Sequence, residues 1–161
     1  MTNPIRPTDD DARRLARDLL QQADHAALAV IAPETGAPSL SRIAMALDPA
    51  GWPVSLVSTL AGHTRALAAR PECSLMVGEV ADRGDPLTHP RLTLQARAHP
   101  VMRTDAGFDA LRAHVLALRP KTKLYIDFGD FHFIRFEPLE GFLNGGFGRA
   151  FQLRPEDLLP G

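Results

Sequence analysis

An α+β, mainly β fold is what this sequence predicts: a small closed antiparallel barrel with helices packed outside it. Three observations carry the prediction. Several short segments alternate apolar and polar side chains, the period of a half-buried strand. Tight turns join most of them, and helices do not alternate with strands as a parallel sheet would require. At 161 residues the chain buries one core, roughly 70% of its unfolded surface, and not two.

The elements follow in order. Thr8 is placed to cap a helix over about 8–24 whose first turn holds Asp9, Asp10 and Asp11, acids at the positive end of the dipole. Leu15, Leu19 and Leu20, with Ala12, Ala16 and Ala23, form its apolar stripe. Ala26 to Ala32 is an apolar run closed by Pro33 and Gly36, hence a strand. Ser39 to Leu47 alternates, with Ile43, Met45 and Leu47 on one face and Leu40, Arg42, Ala44 and Ala46 on the other. Asp48–Pro49–Ala50–Gly51 is a turn by composition, and Pro53 to Leu60 returns as the second arm of a hairpin. Gly62 to Arg70 is a short helix stopped by Pro71, Glu72 to Val80 a strand, and Arg83 to Pro90 a loop.

Arg91 to Arg103 alternates most clearly, Leu92, Leu94, Ala96 and Ala98 facing one way. Thr104 is placed to cap another helix, with Asp105 in its first turn and Leu111, Val115 and Leu118 inward, ended by Pro120. Phe131 to Glu137 alternates again, and Gly141 to Phe151 is a Gly-rich aromatic ending. Six to seven strands and three helices make a single domain over 1–161, its barrel spanning about 26–151.

Composition excludes several functions. With 18 Lys+Arg against 19 Asp+Glu, the chain lacks the basic excess that nucleic acid or an anionic membrane demands. Apolar runs too short for a bilayer, no secretory leader and a lone Cys73 predict a cytoplasmic protein without disulfides. The histidines show no His-x₃-His spacing and Cys73 no Cys partner, so no protein-only metal site is expected.

Four places could carry chemistry. Arg42 sits on a strand face with the small Ala44 and Ala46, where a flat ligand could lie with the guanidinium at its edge; a solvated strand Arg is the plainer reading. Ser58, Thr59, His63, Thr64 and Arg65 gather hydroxyls, a cation and a helix N-terminus, a set suited to phosphate, although Thr64 as a simple N-cap fits equally. Asp127 and Asp130 sit among aromatics, where a turn with Asp130 bonded to backbone is the favoured reading, and no Gly-rich ATP loop makes Asp127-Phe128-Gly129 a kinase motif. Asn144-Gly145-Gly146-Phe147-Gly148-Arg149 is a hairpin turn or a loop that brings backbone and Arg149 to an anion.

Six blocks, in this order, resemble a known family: Ser41-Arg42; His63 to Leu67; Pro71 to Glu79; Asp85 to Leu94; Tyr125 to Phe131; and Gly145 to Ala150. The family is the FMN-binding split-barrel superfamily related to pyridoxamine 5′-phosphate oxidase, and within it the haem-utilisation proteins of the HugZ/HutZ type. The resemblance spans about 10–151 and implies a six- to seven-stranded antiparallel split β-barrel of Greek-key type, working as a homodimer. It implies an FMN-dependent oxidoreductase with an unidentified small-molecule substrate. Its FMN would meet Arg42, Ile43, Ala44, Ser58, Thr59, His63, Thr64, Arg65, Arg91 and Arg149. Where the oxidases carry His and Arg after the Gly-Gly-x-x-Arg stretch, this chain has Phe151 and Leu153. The alternative is haem binding or haem degradation on the same barrel. The branch's C-terminal histidine ligand has no counterpart after His132, so His63, His89 or His132 would have to replace it.

Overall fold

Period-two burial builds the sheet. The structure, a computed structural model, describes residues 3–160. Among these residues it has nine strands: β1 (Ile5–Arg6), β2 (His25–Ile31), β3 (Pro38–Ala44), β4 (Ala46–Leu47), β5 (Pro53–Ser58), β6 (Glu72–Val77), β7 (Arg91–Val101), β8 (Phe131–Asn144) and β9 (Ala150–Leu153). Its four α-helices are α1 (Asp10–Gln22), α2 (Gly62–Ala69), α3 (Phe108–Leu118) and α4 (Pro155–Leu158). Along β7, Leu92, Leu94, Ala96 and Ala98 are buried as the alternation predicts.

The strand order is β1-β9-β8-β7-β6-β2-β3, with β5 paired to β8 and β4 to β5. All ladders are antiparallel except β1–β9. The closed barrel read from the strand pattern gives way to the split barrel that the resemblance implies. β3 pairs with β2 and β4 with β5, and the ring is completed only through the chain at Met45, not by a ladder. The break falls within the predicted strand over 39–47, at Met45, which belongs to neither ladder. Met45 N instead donates to Asp24 O at 2.8 Å.

Inside the ring, Leu28, Leu75, Leu92, Leu94, Phe136 and Leu143 pack with Ala12, Ala16 and Leu20 of α1. A second cluster joins α3 to the sheet, with Phe108 and Phe133 rings 5.3 Å apart. Asp48 fastens the predicted hairpin: Oδ1 accepts from Ala50 N and Trp52 N, and Oδ2 from Arg135 Nε at 2.6 Å.

Other boundaries move for physical reasons. Asp9, not Thr8, caps α1 by accepting from Ala12 N, while Thr8 donates to Gln152 O. Asp105 closes a turn on Met102 N, so α3 begins at Phe108 rather than beside Thr104, and Leu118 ends up exposed. The strands predicted to reach Leu60 and Val80 stop at Ser58 and Val77. β8 runs to Asn144, and β1, β9 and α4 extend the fold beyond the predicted barrel. No helix among the described residues is long and apolar enough to cross a membrane.

Candidate functional site

β2 buries Ala26, Leu28 and Val30 and turns His25, Ala27 and Ala29 to the other face. Register then decides their neighbours. Ala44 lies opposite His25, Arg42 opposite Ala27 and Leu40 opposite Ala29; on the other side Met76 lies opposite Ala27. Opposed residues of antiparallel strands project to the same side. The outer face therefore has an alanine floor flanked by Leu40, 75% exposed, and Met76, 45% exposed.

Leu15 and Leu19 of α1, with Ala23 just after it, wall this floor on one side, and the segment Gly78–Glu79–Val80 on another, around a cleft of about 1150 Å³. Small-molecule sites typically enclose about 300–1,000 Å³, so the volume suits a large flat ligand. Gly78 is required at the rim. Its φ is +116°, and a Cβ there would lie 2.4 Å from Pro90 O.

His25 stands in the cleft between two carboxylates: Nδ1 is 2.5 Å from Asp24 Oδ1 and Nε2 is 2.7 Å from Glu79 Oε1. The hydrogen bond to His25 holds the Asp24 carboxyl below the usual carboxylate range. Arg42 also lines the cleft, and among the described residues it has no acidic partner.

The predicted site residues are divided. Ala44 shares the outer face with Arg42, whereas Ile43 points into the core. Ser58 and Thr59 both meet Asp130: Ser58 Oγ donates to the carboxylate Oδ2 at 2.6 Å, and Thr59 N to the backbone O at 2.8 Å. The turn expected at Asp130 is present and Asp130 bonds backbone through its own carbonyl, while its carboxylate takes the Ser58 hydroxyl. Ala61, not Thr64, is the N-cap of α2; Thr64 is buried with Oγ1 unpartnered. Arg65 Nη1 turns back to Leu60 O at 3.3 Å. His63 Nδ1 lies 3.2 Å from Ser41 Oγ, and Ser41 lines the cleft, so this cluster reaches the cleft from behind β3. Burial pushes the His63 imidazole below its ordinary value.

Arg91 sits beside Gly78 at the rim and donates to Leu87 O at 3.2 Å. Arg149 is exposed in the Gly145–Arg149 turn, which abuts Leu15 of the cleft wall. Asp127 is held by both Arg112 nitrogens, at 2.8 and 2.6 Å. Cys73 is pushed up to about 12 by burial, which makes its thiol inert. Among the described residues no group of three or more His, Cys, Asp or Glu could hold a metal ion.

The three histidines considered from sequence do not line the cleft. His63 faces Ser41, His89 Nε2 bonds Arg83 O at 2.7 Å, and His132 is buried with Nδ1 unpartnered. His25 is the functional candidate that sequence reasoning missed. Its signal was an Asp-His pair at a helix-to-strand junction, ahead of a strand with Ala at alternate outward positions.

No family model matches the chain. Over 104 residues, 64% of this chain, it is 42% identical to the chloroplastic heme oxygenase HOZ of Arabidopsis thaliana, and it spans only 30% of that protein's length. A solved heme binding protein from Mycobacterium smegmatis is 30% identical with a TM-score of 0.81, covering 96% of this chain and 61% of its own. The heme storage protein HutZ from Vibrio cholerae is 24% identical with a TM-score of 0.67, over 75% of this chain and 85% of HutZ, a likeness of fold.

Proposed function

The chain belongs to the FMN-binding split-barrel superfamily related to pyridoxamine 5′-phosphate oxidase, in its haem-utilisation branch, and from that premise we propose that it binds haem in the cleft beside α1. One observation carries the reading: the cleft joins a flat apolar floor to a cation and an imidazole. A porphyrin is a broad apolar disc with two carboxylates on one edge, and the donor chemistry of the cleft fits it. Ala27 leaves the floor clear, Leu15, Leu19 and Met76 exclude water, and Arg42 offers an unshared guanidinium to a propionate. Bound haem supplies a redox-active iron. The relatives at 42% and 30% identity, a heme oxygenase and a heme binding protein, support this reading.

A second copy pairing over the same face would complete the cleft, since exposed Leu40 and Met76 leave that face apolar. A flavin enzyme is the weaker reading, because an FMN phosphate at Ser58–Arg65 would meet the Asp130 carboxylate. Haemin and FMN offered separately to the purified protein test the choice. Haemin should produce a saturable Soret shift at one site per chain while FMN leaves its own spectrum unchanged. Saturable FMN binding without a haemin response would reverse the assignment.

A further inference from the structure

We infer that His25 is the axial ligand of the haem iron in this cleft and that Asp24 is its positioning residue. The inference rests on the haem reading above and goes beyond it. Of the chain's 6 histidines, His25 alone lines the cleft. The others are committed elsewhere: His99 to Glu137, His114 to Leu47 O, His89 to Arg83 O, His63 to Ser41, while His132 is buried.

His25 rises from the same sheet face as Arg42, two residues along the ladder. Such diagonal neighbours lie roughly 7–8 Å apart, their Cβ atoms somewhat closer. One residue can thus address the centre of a macrocycle while the other addresses a carboxylate on its edge. The Asp24 carboxylate on Nδ1 orients the ring and leaves Nε2 as the coordinating atom, the arrangement typical of metal-bound histidines. Nε2 is covered only by Glu79, whose side chain is 76% exposed and follows the Gly78 bend, so it can swing into solvent. On ligation the Nε2 lone pair would form the Fe–N bond, any proton there would leave to solvent, and Nδ1–H would go on donating to the Asp24 carboxylate. No electron is transferred.

Resonance Raman of the ferrous haem complex, prepared with haemin and dithionite, tests this. Wild type should show an Fe–histidine stretch that shifts with ¹⁵N-histidine. His25→Ala and His25→Gln should keep haem in the cleft but lose that band, and added imidazole should restore it. Asp24→Asn should keep haem and lower the stretching frequency, because a weaker acceptor makes the imidazole less basic. A band that persists with bound haem in both His25 variants overturns the assignment, as does wild-type haem without any histidine band. An unmoved frequency in Asp24→Asn overturns the positioning role. Failure of wild type to bind haemin overturns the haem reading itself, and with it this inference. The ¹⁵N measurement needs no variant, so a poorly folding substitution does not shelter the idea.

Discussion

Asp48 lies in the turn between β4 and β5, and its replacement by Ala gives a prediction that can be worked from the contacts. Its carboxylate is buried and accepts from Ala50 N and Trp52 N, both at 2.9 Å, and from Arg135 Nε at 2.6 Å. Bonds to a charged group contribute about 1.5–3 kcal/mol each, so a simple sum exceeds 4 kcal/mol. That sum is too large. Ala50 is exposed, and the Arg135 side chain is one-third exposed, so both donors regain water when the carboxylate goes. The loss at Trp52 N, which is half-buried, remains, together with the stacking of Arg135 on Trp52 at 4.4 Å, which the ion pair holds in place. Asp48→Ala should therefore cost about 3 kcal/mol, a fall of about 6–12 °C in Tm for a chain of this size. Asp48→Asn keeps the Oδ1 acceptor and should cost about half as much. Urea unfolding followed by circular dichroism measures both. An Ala variant within about 0.5 kcal/mol of wild type, or an Asn variant equally damaged, would refute the reasoning.

Other predictions follow from the cleft and the buried imidazoles. Arg42→Ala should weaken haemin binding about tenfold, because an exposed charge-assisted bond sits near the low end of about 1.5–3 kcal/mol; absorbance titration reads it, and unchanged affinity would remove Arg42 from the site. Ala27→Trp fills the floor and should abolish haemin binding while moving Tm by less than about 4 °C, since the side chain points away from the core. Burial holds His63 and His132 below the ordinary imidazole range, so the unfolded chain takes up protons first. Stability is then full above about pH 6.5 and declines as pH falls from there through the folded values, which urea melts between pH 7.5 and 5.5 should show. A flat profile over that window would contradict the burial argument.

The sheet was largely legible because its signal is local. Alternation in Arg91–Arg103 and the Asp48–Gly51 turn each need only adjacent residues, and both appear as expected. The split at Met45 was not legible, because two consecutive buried residues look like any apolar pair until both neighbouring ladders are known. The same limit governs the site. Arg42 beside Ala44 could be read from alternation, although Ala46, expected on the same face, is buried in the second core cluster; placing His25 beside Arg42 needs the β2–β3 register, and closing Glu79 onto it needs the bend at Gly78. The hydroxyls and cations of the Ser58–Arg65 cluster are neighbours in sequence. The Asp130 carboxylate within it comes from a segment 72 residues away and is supplied by the β5–β8 pairing.

A crystal structure of the protein with bound haemin addresses the central claim most directly. Porphyrin density should lie over Ala27, with a propionate at Arg42 and α1 along one edge. Porphyrin density on the opposite side of the sheet, or seated at Ser58 and Asp130 with the alanine floor bare, would contradict the account.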